Sequence, residues 1–274
     1  MAASKSLTIY EKDQIRTIKE WKNDAPDIVS QAMGLLTYPV TGYIQKVVPE
    51  RAIQMMFNTA NFLANHMADT RDISKAGKVD HVSELRSKDF KLSDDLAESI
   101  HNWAIGLAAV GGGAAGAAGI AGLAVDIPAV ILLALRTVHK IGLCYGYECR
   151  SEMDKNYALG VMAASCANTL NEKIEALSTL RFIEAAMARK AWSTLSERTA
   201  CRQLSREGSI IALRNLARQF GVNISKRKAI QAAPVIGALV GASVNAWYLK
   251  DVGWAARRSF QERWLIDNRK VREI

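Results

Sequence analysis

The chain has 274 residues, enough to bury the core of one or two domains, and with 49% apolar and 23% charged residues it has a globular composition. Five prolines and no Ser/Pro/Gln-rich tract exclude a largely disordered chain. The formal net charge of +9 is local: residues 181–228 hold eleven Lys/Arg against three Glu, a net +8, which attracts polyanions such as anionic lipid head groups or nucleic acid phosphates.

The first stretch, MAASKSLTIYEKDQIRTIKEW, carries charges throughout and no apolar h-region, so it reads as a cytosolic start. Ile15, Ile18 and Trp21 then follow a helical rhythm, and Asp24 and Pro26 mark the start of a further helix. Residues 50–67 repeat the rhythm with Ile53, Phe57, Ala60 and Leu63. Residues 69–90 are polar and break it, which reads as a connection. A helix is expected from Leu92 to Leu107, with Ser93 and Asp94 near its N-terminus.

Residues 104–125 form an uncharged Gly/Ala-rich stretch of near-transmembrane length. Gly and Ala gain little on transfer to lipid, so the hydropathy of this stretch is weak for its length. Gly112 and Gly116 lie one helical turn apart, and Gly113, Gly116, Gly119 and Gly122 step by three. Together they make a flat face suited to close approach of another helix. Asp126 is expected to cap a helix that begins near Pro128, by accepting from the Ala129 amide, and that runs to about Tyr145 with Gly146 as its stop. On that helix Arg136, His139 and Lys140 share one face, which reads as solvated or, alternatively, as a lipid head-group contact.

Two long charged helices are expected over residues 154–220, and Phe220 to Ser225 reads as a turn. Arg198, Arg202 and Arg206, spaced by four, form a cationic stripe. With Arg136, Lys140 and the run Lys226, Arg227 and Lys228, they are the candidate lipid-binding residues. A second uncharged stretch spans residues 229–249, with Gly237 and Gly241 continued by Asn245. A charged helix from Asp251 to Arg269 closes the chain. No useful strand alternation occurs, so the expected fold is an all-α, multi-helix bundle with a central close-packed pair of Gly/Ala-rich helices. It is read as one domain over 1–274, divided at about 100, 150 and 228.

Two blocks, GGAAGAAGIAGLAVDIPAVILLALRTVHKIGLCYGYE from Gly112 and APVIGALVGASVNAWYLKDVGWAARRSFQERWL from Ala233, resemble the EcsC protein family. The resemblance rests on a glycine run, Asp-Ile-Pro, a helix with an Arg, Tyr-Gly-Tyr, a later Pro-x-x-Gly-Ala-x-x-Gly-Ala-x-x-Asn, and an Arg-Trp-Leu end. Glu148 stands where the family usually has Asp. The two blocks carry the match strongly and the rest of the chain weakly. The resemblance implies association with a membrane partner such as a transporter, since the type member is encoded beside ABC-transporter subunits. It brings no catalytic residues. A looser similarity to glycine-rich domains of some bacterial GTPases points the same way.

Chemistry is sparse. The four histidines (His66, His81, His101, His139) show no HExxH or metal-ligand spacing, and the four cysteines form no CxxC pair. Gly111, Gly113 and Gly116 imitate a dinucleotide fingerprint, but no strand precedes them. Few aromatics interleave the basic segment, which argues against nucleic acid. No cofactor, metal or catalytic residue is expected. The expected function is a membrane-associated accessory or scaffolding protein on the cytoplasmic side, binding anionic lipid or a membrane partner without turnover. The alternatives are a membrane-permeabilising toxin or defence effector with an insertable Gly-rich hairpin, and a hydrolase using His139, Asp126 or His101.

Overall fold

The structure is a computed structural model describing residues 6–25, 50–117, 119–190, 195–231 and 237–274; side chains at 114–117, 119–125, 189–190, 195–198, 221–231 and 237–244 lie outside the description. All regular structure among the described residues is helical. The α-helices are α1 (Ile9–Asn23), α2 (Glu50–Met67), α3 (Arg71–Gly77), α4 (Phe90–Ala117), α5 (Gly119–Cys144), α6 (Glu152–Ser165), α7 (Leu170–Lys190), α8 (Leu195–Gln231) and α9 (Gly237–Asp267), with a 3₁₀ turn at Val82–Ser87.

Local chemistry sets several boundaries. Thr8 and Glu11 form a capping box at the start of α1: the Thr8 hydroxyl accepts from the Glu11 amide at 3.1 Å, and the Glu11 carboxylate accepts from the Thr8 amide at 2.7 Å. Ser151 and Asp154 do the same for α6. The expected stop after α5 is present at Gly146, whose φ is +82°. A Cβ there would also stand 2.4 Å from the Arg86 backbone nitrogen, so only glycine fits.

The axis of the molecule is the antiparallel pair α4 and α9. Its register is fixed by Asp94 against Gln261 at one level and His101 against Lys250 and Gly253 at another. α5 returns antiparallel to α4, with Arg136 over the Trp103 ring. α6, α7 and α8 form a second layer, tied by Asn156 to Ser205 and Asn215 to Glu175. α2 bridges the two layers through Asn61–His139 and Phe57–Phe220. α1 lies across α9. The core is aromatic where the layers meet: Tyr145, Tyr147 and Tyr157 surround Phe260, and Phe90 stacks on Trp264.

Five expectations change, the first being that the two long helices expected over 154–220 are three, α6, α7 and α8. Asp126 and Pro128 do not begin a helix, because α5 starts at Gly119 and carries Pro128 in its interior. An internal proline costs about 3 kcal/mol; the helix continues because Val130, Ile131, Ala134 and Leu135 behind it are buried. The stretch 104–125 is not one segment but is divided between the end of α4 and the start of α5, which run antiparallel. Residues 220–225 are helical within α8: Gly221 costs about 1 kcal/mol there, and the burial of Leu216 and Phe220 offsets it. The connection at 69–90 holds α3 and the 3₁₀ turn.

Gly253 sits where α9 makes close contact with the His101 ring of α4. A Cβ there would lie 2.0–2.5 Å from the His101 ring. Gly253→Ala is therefore expected to lose about 1–3 kcal/mol of stability through overpacking. Urea unfolding checks this, and an unchanged midpoint would refute the close approach.

Candidate functional site

The two antiparallel helices α4 and α5 form a hairpin, and the candidate site is that hairpin with the polar groups that anchor it. After Asp95 and Glu98, α4 carries no charged residue, and α5 has none before Asp126. Trp103, Leu107 and Val110 recur at helical spacing on α4 and are all exposed, Val110 by 74%. The segment Asp126–Cys144 is long and apolar enough to cross a bilayer, with a mean hydropathy of 1.6, and 67% of it is buried inside the protein.

At the base of the hairpin Asp94 is buried and accepts from the Tyr145 hydroxyl at 2.6 Å, Gln261 Nε2 at 2.7 Å, Arg257 Nη2 at 3.3 Å and the Tyr10 hydroxyl. A buried carboxylate is tolerable only when so paired. Burial, then the Asp94 charge, pushes the Tyr10 and Tyr145 hydroxyls well above the usual phenol range. Arg258 extends the network by donating to Gln14 at 2.8 Å and Gln261 at 2.7 Å. Further up, the His101 Nε2–H donates to the Lys250 carbonyl at 2.9 Å, and the ring meets Trp254 edge-on. Burial, with Arg257 nearby, pushes His101 down to about 4, so the imidazole is neutral. Near the tip, Asn245 Nδ2 donates to Asp126 Oδ1 at 2.8 Å. The carboxylate expected to cap a helix instead joins α5 to α9.

The face of Arg136, His139 and Lys140 is covered at His139 and Lys140 and only partly exposed at Arg136. His139 and Lys140 are buried beneath α2 and α3, and Asp72 neutralises Lys140. Arg136 Nε donates to the Met67 carbonyl at 3.3 Å. These groups hold α2 and α3 onto the hairpin. His139 Nε2 pairs with Asn61 Oδ1 at 2.8 Å, and burial pushes the ring down to about 4. It borders a cavity of about 190 Å³ shared with Asn65, Glu148 and Cys149. Burial pushes the Cys149 thiol up to about 12, so no thiolate nucleophile is available there. No group of three His, Cys, Asp or Glu among the described residues could hold a metal ion.

Arg202 and Arg206 are exposed on α8. The side chains of Arg198, Lys226, Arg227 and Lys228 lie outside the described residues, as do the surroundings of Gly116, Gly119, Gly122, Gly237 and Gly241. Gly112 is buried and Gly113 partly so.

A second polar centre lies between α6, α7 and α9, in a cleft of about 830 Å³. The Arg263 guanidinium lies 4.1 Å from the Tyr147 ring centroid and 5.0 Å from that of Tyr157, and reaches Asp154 at 3.6 Å. Lys22 pairs with Glu262 at 2.5 Å. Glu184 opens partly to the cleft, but dense packing around its carboxyl, followed by repulsion from Glu262, pushes it up to about 7. Sequence reasoning missed Asp94, Glu184 and the arginines of α9. The available signal was the run Arg257-Arg258-x-x-Gln261-Glu262-Arg263, charged on every side of a helix inside an apolar block.

The model of the EcsC protein family matches residues 12–265. A relative from Bacillus subtilis (strain 168), described as "Uncharacterized protein YdbA", is 23% identical over 192 residues. That alignment covers 70% of this chain and 65% of the relative, so the chain spans about two thirds of that protein's length. No solved structure matches.

Asp94→Ala is expected to cost on the order of 3 kcal/mol, since two tyrosine hydroxyls lose their acceptor and Arg257 and Gln261 are left with Glu98 and Gln14 alone as acceptors; thermal unfolding at neutral pH reads it. For Glu184 the sign is opposite to that of a salt-bridged acid. Below pH 4.5 both folded and unfolded chains hold the proton; from 4.5 to about 7 only the folded chain does, so rising pH destabilises the wild type. Glu184→Gln removes this penalty. The variant should match the wild type at pH 4.5 and gain on the order of 2 kcal/mol over it by pH 7.5. A difference that is flat with pH would refute the shift. The two histidines act in the other sense, but equally in both proteins.

Proposed function

The chain belongs to the EcsC protein family, and on that premise we propose that it is a membrane-associated accessory or scaffolding protein. In this reading it works from the cytoplasmic side, binds anionic lipid or a membrane-protein partner such as a transporter, and turns over no substrate. The observation that carries the reading is the exposed stripe Trp103, Leu107 and Val110, which leads into a hairpin end without charge. Trp is favoured at the membrane interface, and Arg136 over the Trp103 ring adds a cation at the same level. Asp126, the first charge beyond the tip, is already hydrogen-bonded by Asn245. The stripe would therefore meet lipid at the tip while the charged network holds the base.

The glycines fit the same reading. If the register set by Asp94–Gln261 and His101–Gly253 continued along α4 and α9, Gly241 would come to the level of Gly113 and Gly237 to that of Ala117. A close-packed pair there, with Gly112, Gly113, Gly116, Gly237 and Gly241 in its seam, would let the hairpin stay compact outside the bilayer.

Flotation with vesicles tests the proposal. The protein is expected to float with vesicles rich in phosphatidylglycerol and to remain below with phosphatidylcholine alone. Leu107→Glu combined with Val110→Glu, both at exposed positions, should keep the fold by circular dichroism and abolish flotation. A wild type that ignores anionic vesicles at low salt would sink the reading. Dye leakage from the same vesicles would replace the scaffold by the permeabilising alternative.

A further inference from the structure

α2, α6 and α8 enclose a groove of about 730 Å³, set apart from the hairpin and lined in part by Arg202 and Arg206. Its floor is apolar: Met153 and Leu159 from α6 are buried, Leu213 is partly buried, and Ile210 is 50% exposed along its wall. Arg202 and Arg206 stand on one side, one helical turn apart, and both are exposed. Neither forms an ion pair among the described residues. Asn58 and Ser209 add polar groups at the edge. The described lining holds one acid, Glu152, so the groove keeps a net positive charge.

The walls are rigid. Asn156 Nδ2 donates to Ser205 Oγ at 3.0 Å beneath the groove, and Gly208 on the far side of α8 packs against Ile183. α8 therefore cannot close the gap by settling onto α6. What remains is a groove with two guanidinium forks, unpaired among the described residues, beside an apolar trough. Water satisfies the arginines but leaves Ile210 and Leu213 wet. A lone phosphate satisfies the arginines and leaves the trough empty. A ligand carrying both chemistries satisfies both at once, because a guanidinium fork matches the oxygens of a phosphate and an alkyl chain covers the apolar floor.

We propose that this groove binds one phosphate-bearing amphiphile, its phosphate held by Arg202 and Arg206 and its chain laid over Met153, Leu159, Ile210 and Leu213. The assignment rests on the lipid-binding reading above and names its site and ligand class. The phosphate can come from a headgroup of the bilayer or from a free single-chain phosphate, and the test separates the two.

Isothermal titration with decyl phosphate below its micelle concentration is the direct experiment on the whole chain. The wild type is expected to bind it at least tenfold more tightly than inorganic phosphate. Arg202→Gln with Arg206→Gln, and separately Ile210→Glu, should each weaken binding at least tenfold. Arg214→Gln with Arg218→Gln removes the same charge from exposed positions of α8 outside the groove and should leave binding unchanged. Circular dichroism melting confirms that each variant is folded. No binding of decyl phosphate, or an equal loss in the Arg214/Arg218 variant, overturns the proposal.

Flotation with phosphatidic acid vesicles identifies the source. If the Arg202/Arg206 variant loses both ligands, the headgroup is taken from the bilayer; if it loses decyl phosphate alone, the ligand is a free amphiphile. A wild type that binds decyl phosphate but never floats overturns the membrane reading and keeps the groove. One that floats but does not bind decyl phosphate does the reverse.

Discussion

The carboxylate of Asp94 is the constraint from which the arrangement of this bundle follows. It sits in the core and receives donors from α1, α5 and α9 while standing on α4. Burying it alone would cost several kcal/mol, so the fold is viable only with those donors in place. Apolar helix faces can slip past one another by a turn at modest cost. A charge that must meet four partners cannot. The network thus sets which residues of α4 and α9 face each other and orients the Tyr145 end of α5. The aromatic cluster around Phe260 then packs on the frame so defined.

Charge is divided in this molecule by depth. The sequence has 36 Lys and Arg, and their excess over the acids falls almost wholly within residues 181–228. The structure places several of them inside. Lys140, Arg257 and Arg258 are buried, and Arg263 is nearly so, each with a carboxylate, amide or aromatic ring as partner. Those groups specify structure and are unavailable to a polyanion. Arg202 and Arg206 remain at the surface without such partners among the described residues. Counting charges along the chain therefore overstates the surface field, and the part that survives is concentrated on α8.

Features that depend on near neighbours in the chain were readable in advance. The apolar rhythm of Ile53, Phe57 and Ala60 and the stop at Gly146 correspond to α2 and to the end of α5. Features set by distant partners were not. Asp94 reads as a helix-start residue because its donors lie up to 167 positions away. Asp126 reads as a cap beside Pro128, yet its partner is Asn245 on another helix. Arg136, His139 and Lys140 read as a solvated face because nothing in their own helix announces that α2 and α3 cover it. The turn expected at Phe220 to Ser225 rested on Gly221 and Asn223, whose weak helix propensity is outweighed by packing along α8.

The His101 ring seated in the notch of Gly253 has a mechanical consequence. A ring held between two helix backbones, and hydrogen-bonded to Lys250, acts as a key in a slot. It blocks sliding of α4 along α9, because every residue flanking Gly253 would bring a side chain into the ring. Shear of this pair is thereby opposed at that level. To slide the uncharged end of the hairpin along α9 would mean first unseating that ring.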